Sequence, residues 1–192
     1  MSEKEDIKLN LIDIPDIFKT SINRDYFKTC LICEKDLIEM QEEYLIEKIY
    51  SKGKVEIEYA ICIDCLQKER ENLSEESLRK VNEFFESYEK KINDRNEFLN
   101  GNTDFKKYIS NCLISGLEIN EEADYHIFAH CLGDKMLLGY FPYALHFEVI
   151  DYLQLLLSQK TKDELDNFRK KYFDLPPDIY DIFNKKRVPL FI

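Results

Sequence analysis

Four of the chain's six cysteines stand in two closely spaced pairs, and this spacing constrains the fold more than any other feature. Cys30 and Cys33 form the first C-x2-C pair, and Cys62 and Cys65 form the second after 28 intervening residues. Two residues between cysteines let both sulfur atoms face one point, and two such pairs complete a tetrahedral shell of thiolates about 2.3 Å from a zinc ion. The spacing predicts one structural Zn2+ with Cys30, Cys33, Cys62 and Cys65 as metal ligands.

The residues between the two pairs predict a β-hairpin. Residues 43–50 and 54–60 are rich in Tyr, Ile and Val and flank a turn at Gly53. The second cysteine pair follows the hairpin and precedes a helical pattern at 66–70. This order of knuckle, hairpin and helix resembles the treble-clef class of zinc fingers over residues 26–75, and the resemblance implies the same four cysteines as ligands of one zinc ion. Zinc knuckles commonly have glycine after the second cysteine, where this chain has Glu34.

The alternative interpretation of these cysteines is a set of buried or redox-active thiols. A thioredoxin-like site requires a C-x2-C pair at the start of a helix within a βαβ unit. Cys62 and Cys65 precede a helical pattern, but no βαβ pattern surrounds them, and Cys30 and Cys33 would have no role. The paired arrangement favours zinc.

The whole chain is predicted to be α+β, with a treble-clef-like zinc unit and a mainly helical unit that contains one hairpin. The boundaries place an N-terminal arm at 1–25, the zinc-binding unit with a long helix at 26–99, and the C-terminal unit at 104–192. Whether the two units share one core is left open. Both have a hairpin followed by helices, but only the first has paired C-x2-C motifs, so no internal repeat is predicted.

Hydrophobic periodicity and capping residues place the remaining elements. Residues 7–22 read as an extended arm with a short helix after Pro15, and a long helix begins at the N-cap Ser74 and runs through Ile92. The other expected elements are a linker at 93–103, a hairpin with strands 125–131 and 135–140, a helix at 143–157, a helix opened by Thr161, a stop at 176–177, a short helix at 179–183 and an apolar tail at 188–192.

A second group of metal-binding residue types lies in the C-terminal half: Cys112, His126, His130, Cys131 and His146. On a strand, His126 and His130 would lie about 13 Å apart, which is too far for one ion, whereas a helix would bring them together. Hydrogen-bonded histidines and buried cysteines are the favoured interpretation, and no role is assigned to these five residues. Five glutamates of the first hairpin are expected to form a solvated face: Glu42, Glu43, Glu47, Glu56 and Glu58.

Charge narrows the class of partner. The chain carries 27 basic and 38 acidic side chains, for a formal net charge of −11, and residues 30–65 alone hold four basic and nine acidic side chains. Phosphate-backbone binding normally requires an excess of Lys and Arg. The charge therefore disfavours nucleic acid and leaves a protein partner or self-association as the expectation, with no small-molecule substrate predicted.

The predicted function is a non-enzymatic zinc-binding protein that acts as a protein–protein interaction module. Residues 1–8 lack the basic and apolar stretches of a signal peptide, and no apolar run approaches the roughly 20 residues that span a bilayer, so a cytoplasmic protein without a membrane association is expected. The alternatives are a nucleic-acid-binding zinc finger and a thiol-redox protein that uses a C-x2-C pair.

Overall fold

An antiparallel β-sheet with helices packed against it forms the centre of the molecule. The computed structural model describes residues 10–173, which contain six strands and six α-helices. The strands are β1 (Asn10–Asp13), β2 (Glu43–Ser51), β3 (Lys54–Cys62), β4 (Tyr125–Leu132), β5 (Lys135–Leu138) and β6 (Tyr143–His146). The helices are α1 (Ile63–Asn72), α2 (Glu75–Ser87), α3 (Glu89–Leu99), α4 (Lys106–Ile109), α5 (Phe147–Leu156) and α6 (Gln159–Tyr172). This mixture agrees with the predicted α+β class.

The two predicted hairpins lie side by side in one sheet. The strand order is β1-β5-β4-β2-β3, and β6 also pairs with β4. One edge of β4 pairs with β2 along its full length, while the other edge pairs with β6 at Tyr125–Phe128 and with β5 at His130–Leu132. Strands from both sides of the expected linker therefore form a continuous ladder.

The hydrophobic core is shared by the two halves of the chain. Ile46 on β2 and Ala60 on β3 are buried in the same apolar cluster as Ile127 and Ala129 on β4. Burial on both faces explains why the middle of β2 lacks a simple alternation of apolar and polar residues. The question that the sequence left open is thus answered for the described residues: one core serves both units.

The N-terminal arm is tied to the sheet. As the sequence predicts, it is extended and then turns helical after Pro15: β1 pairs with β5, and a 3-10 turn spans Asp16–Phe18. Phe18 is fully buried. Residues 1–9 of the arm, and the stop, helix and tail expected at 176–192, lie outside the described residues.

Several element boundaries differ from the sequence prediction. The expected helix at 143–157 begins only at Phe147, because residues 143–146 pair with β4 as a strand. The N-cap of α6 is Ser158, whose hydroxyl accepts from the backbone N–H of Thr161, so Thr161 is not the cap. The long helix after Ser74 is divided at Tyr88, and α3 extends through part of the expected linker to Leu99.

The cap at Ser74 and both hairpins are confirmed. The Ser74 side chain accepts from the backbone N–H of Ser77. In the first hairpin, Lys52 and Gly53 both have positive φ angles, of 48° and 73°, which is typical of a two-residue turn that matches the twist of its strands. None of the helices within residues 10–173 has both the length and the apolar character required to cross a bilayer.

Candidate metal centre

The first cysteine pair lies in a tight turn. The backbone N–H of Cys30 donates to the carbonyl of Lys35 (2.9 Å), and the N–H of Glu34 donates back to the carbonyl of Cys30 (2.9 Å). A bridge between Thr29 and Asp36 closes the base of the turn. Glu34 has a φ of 58°, the left-handed conformation that glycine adopts most easily. The turn therefore forms although glutamate occupies the position where glycine is common in zinc knuckles.

The second cysteine pair lies where the first hairpin meets α1. Cys62 is both the last residue of β3 and the N-cap of α1, and Cys65 stands in the first turn of that helix. The partial positive charge at a helix N-terminus favours thiolates there. The N–H of Leu31 donates to the carbonyl of Ala60 (2.9 Å), which fixes the turn against β3.

The four sulfur atoms converge on one point. All four Sγ atoms lie within 4.8 Å of one another, and Cys33 Sγ is 3.8 Å from Cys62 Sγ. Thiolates about 2.3 Å from a tetrahedral zinc ion stand about 3.8 Å from each other. The cluster is therefore compatible with a zinc site, and it brings together the four cysteines that the sequence singles out.

Most of the cluster is shielded from water. Cys30, Cys62 and Cys65 are buried, whereas Cys33 is exposed. Burial opposes ionisation of Cys30, but the backbone N–H groups of Cys33, Cys62 and Ile32 outweigh it, and the pKa of Cys30 falls below its ordinary value. Burial raises the pKa of Cys62, and burial together with the neighbouring thiols raises the pKa of Cys65. A divalent cation would offset the cost of bringing these thiolates together.

One lysine stands beside the cluster. Lys35 Nζ lies 3.1 Å from Glu42 Oε1 and 4.0 Å from Asp64 Oδ2. The hydrogen bond to Glu42 is the main reason why the pKa of Lys35 is raised, and the charges of Glu42, Asp64 and Cys62 add to it. Acidic groups accordingly dominate the immediate surroundings of the cysteines, as the count over residues 30–65 indicates.

The histidines and cysteines of the C-terminal half do not join a metal cluster. Within residues 10–173, the four cysteines are the only group of three or more metal-binding side chains that converge. His126 and His130 lie on strand β4, as the favoured interpretation of the sequence requires. Cys131 is buried in the core, and burial raises its pKa to about 12.

His126 belongs to a buried polar cluster that the sequence does not reveal. Its Nδ1 atom lies 2.7 Å from Glu47 Oε1, and Glu47 also accepts a hydrogen bond from the Tyr59 hydroxyl. Glu47 is 3% exposed, so the expectation that it belongs to a solvated glutamate face is wrong. Glu58 is not freely solvated either, because its Oε2 atom lies 2.9 Å from Nζ of Lys48, which is 2% exposed. Glu47 and Lys48 both lie on β2, and burial of that strand on both faces is the physical reason.

No protein-family model, no curated protein and no solved structure matches this chain. The metal centre is consequently interpreted from its own residues and geometry.

Proposed function

We propose that Cys30, Cys33, Cys62 and Cys65 bind one zinc ion in a treble-clef-like unit, that this zinc is structural, and that the protein is a non-enzymatic interaction module. The observation that carries the zinc assignment is the convergence of four Sγ atoms within 4.8 Å. Four thiolates fill a tetrahedral shell and leave no position for a substrate or an activated water.

The placement of the ligands supports a structural role. One pair comes from a turn and the other from the junction of β3 and α1, so a shared ion links two segments that are distant in sequence. Three of the four cysteines are buried, which limits exchange of the metal with solvent. The order of turn, hairpin and helix follows the treble-clef outline, with the last two ligands at a helix N-terminus.

The surface supports an interaction role. The formal net charge is −11, and an acidic surface steers basic partners toward it. Ile22, Phe98 and Leu155 are 94%, 83% and 77% exposed, but single exposed apolar side chains are normal on a protein surface, so the charge carries this part of the proposal. The proposed partner is a protein with a basic surface or a second copy of the chain.

Metal counting tests the zinc assignment. Purified, fully reduced protein should contain one zinc per chain, and crystals should show an anomalous peak at the zinc edge among the four sulfur atoms. Cys65→Ser should lower the zinc content, while Cys131→Ser, which changes a buried cysteine outside the cluster, should leave it unchanged. Reduced protein without metal would refute the assignment.

Four measurements separate the interaction role from its alternatives. Light scattering after gel filtration and affinity capture from a native lysate test self-association and partner binding; a monomer without a reproducible partner would contradict the module. Nucleic-acid binding that weakens steeply with salt would instead indicate a basic patch that the charge count does not reveal. Rapid alkylation of one C-x2-C pair in metal-loaded protein would favour thiol-redox chemistry, because zinc-bound thiolates are protected.

A further inference from the structure

We infer that the C-terminal half is a second copy of the four-cysteine unit, in which Cys112, Ser115, His146 and Val149 occupy the four ligand positions of a dismantled metal site. The inference rests on the zinc assignment proposed for the first copy. It corrects the expectation that the chain contains no internal repeat.

The turn around Cys112 repeats the turn around Cys30. The N–H of Gly116 donates to the carbonyl of Cys112 (2.9 Å) as that of Glu34 does to Cys30, and both Gly116 and Glu34 have positive φ angles, of 78° and 58°. The N–H of Cys112 donates to the carbonyl of Leu117 (2.8 Å), five residues on, as that of Cys30 does to Lys35. A bridge between Asn111 and Glu118 closes this turn as well.

The two turns are attached to the shared sheet in the same way. The N–H of Leu113 donates to the carbonyl of Ala144 (2.8 Å), and the N–H of Leu31 donates to that of Ala60 (2.9 Å). Ala144 and Ala60 each stand two residues before the N-cap of the following helix. Each turn therefore contacts the same position of the strand that leads into its helix, β3 in the first copy and β6 in the second.

His146 takes the place of Cys62. It is the last residue of β6 and the N-cap of α5, with φ −66° and ψ 148° against φ −65° and ψ 152° at Cys62. Tyr125 pairs with His146 across the sheet as Tyr44 pairs with Cys62. The N–H of His146 points at Cys112 Sγ (3.3 Å), and the N–H of Cys62 points at Cys30 Sγ (3.4 Å).

The other two ligand positions follow from this correspondence. Ser115, three residues after Cys112, is exposed like Cys33, and its N–H points at Cys112 Sγ (3.4 Å). Val149, three residues after His146, is buried in the first turn of α5 as Cys65 is in α1. Two of the four ligands are thus replaced by side chains that do not hold zinc, and apolar packing of Val149 takes the place of the metal.

Short sequence matches accompany the geometry. Cys-Leu-Ile-Cys at 30–33 corresponds to Cys-Leu-Ile-Ser at 112–115, and Tyr-Ala-Ile-Cys at 59–62 corresponds to Tyr-Ala-Leu-His at 143–146. The next helices, α2 and α6, both begin after a Leu-Ser dipeptide. Three of the four cysteines of the first motif are replaced in the second, by Ser115, His146 and Val149, so the second copy has no paired C-x2-C pattern.

Reciprocal hydrogen bonds show that the copies are related by an approximate two-fold axis. The N–H of Ser74 donates to Thr161 Oγ1 (2.9 Å), and the N–H of Ser158 donates to Ser77 Oγ (2.8 Å). Each bond joins an N-cap of one copy to the third helical residue of the other. Strands β2 and β4, which correspond to each other, pair antiparallel between the copies as a two-fold relation requires.

One polar atom marks the dismantled site. Nδ1 of His146 is buried and has no hydrogen-bond partner among the described residues. A buried ring nitrogen normally has such a partner or a metal. The backbone of the same residue contacts Cys112 Sγ, so an imidazole nitrogen without a protein partner belongs to the residue that corresponds to the ligand Cys62.

Restoring the two ligands tests the inference. Ser115→Cys/Val149→Cys completes a three-cysteine, one-histidine set and should raise the zinc content by one ion, from one to two per chain. Cobalt substitution should show a second tetrahedral site whose thiolate charge-transfer intensity is lower than that of the first. Ser110→Cys/Glu148→Cys adds two cysteines at neighbouring exposed positions that correspond to no ligand, and should leave the zinc content unchanged.

The outcomes distinguish this inference from the zinc assignment. No zinc in the unmodified protein contradicts the assignment, whereas one zinc in both the unmodified and the restored protein contradicts the repeat. A triple variant that also carries His146→Cys has the same four-cysteine ligand set as the first copy. It should bind a second zinc ion even if the three-cysteine, one-histidine set does not. Circular dichroism checks folding, and failure of both variants to fold would also count against the inference, because Ser115 is exposed and cysteine is smaller than Val149.

Discussion

The hydroxyl oxygens of Ser74 and Ser158 lie 2.8 Å apart, where the N-termini of α2 and α6 meet. Each serine also caps its own helix: Ser74 Oγ accepts from the N–H of Ser77 (3.1 Å), and Ser158 Oγ accepts from the N–H of Thr161 (3.3 Å). The contact therefore couples two helix caps from opposite halves of the chain. The contact lies at the N-termini of both helices, where the first N–H groups have no partner within the helix. It stabilises the position of one half of the chain relative to the other.

Removing these caps should destabilise the protein less than additively. Ser74→Ala and Ser158→Ala should each cost about 1 kcal/mol in the free energy of unfolding, the usual cost of losing a capping side chain. The double variant should cost less than the sum by roughly 0.5 kcal/mol or more, because either substitution already breaks the shared contact. Urea denaturation measures all three values. Ser87→Ala, at an exposed helix end, is the control, and strict additivity would argue against coupling.

The buried carboxylate of Glu47 should be the most sensitive polar position in the sheet. Glu47→Ala would leave the His126 ring and the Tyr59 hydroxyl without their shared acceptor in a dry environment. A cost of about 3 kcal/mol in the free energy of unfolding is expected, since breaking a buried polar network leaves desolvated groups unpaired. Glu47→Gln, which keeps an acceptor oxygen, should cost less. Thermal denaturation compares both with Glu43→Ala, at the exposed start of β2; equal effects at positions 43 and 47 would contradict the prediction.

The convergence of the four cysteines could be predicted from sequence because its information is local. Four residues of one type at fixed spacing specify both the ligands and the turns that carry them. The first hairpin is equally local: Gly53 allows the positive φ that a two-residue turn requires, and the flanking strands favour Tyr, Ile and Val. The Ser74 cap and the second hairpin, which the structure also confirms, are specified in the same local way.

The remaining features depend on tertiary contacts. Residues 143–146 have a helical pattern with 147–157, but pairing with β4 makes them a strand, and that pairing joins segments far apart along the chain. Ser158 and Thr161 are both acceptable caps, and only packing decides between them. Glu47 looks like a surface residue in the sequence because nothing local indicates that both faces of β2 are buried. The correspondence of the two copies rests on backbone geometry, and the matches in the sequence, such as Cys-Leu-Ile at 30–32 and 112–114, are too short to predict it alone.

The left-handed residue after Cys33 offers a stabilising substitution. Glu34→Gly should raise the free energy of unfolding by about 0.5–1 kcal/mol, because a side chain at positive φ is strained and glycine is not. The second copy already has Gly116 at the corresponding position, with a φ of 78°. Glu39→Gly, at an exposed position without a positive φ, should be neutral or destabilising, and serves as the control. A loss of stability in Glu34→Gly would show that the carboxylate makes a larger contribution than the strain.

Zinc binding should release protons and weaken as the pH falls. Burial raises the pKa of Cys62 and of Cys65 above the ordinary 9.0, so in the absence of metal both thiols are protonated at neutral pH and must lose their protons to bind zinc. Adding zinc to metal-free, reduced protein in a weakly buffered solution should acidify it. The melting temperature of the zinc-loaded protein should consequently fall on acidification toward that of the metal-free protein.

Removing the metal with a chelator measures how much zinc contributes to the stability of the fold. Structural zinc contributes on the order of 10 kcal/mol to small modules, so a strong chelator at neutral pH should lower the melting temperature markedly. Cys65→Ser should melt near the chelated protein and respond little to chelator, because a three-thiolate remnant binds zinc more weakly. Cys131 lies outside the cluster, so the Cys131→Ser variant should show the same fall in melting temperature with chelator as the unmodified protein, even if the substitution itself lowers stability. A chelator that leaves the melting temperature of the reduced, zinc-loaded protein unchanged would mean that the shared core, and not the metal, holds the turn against α1.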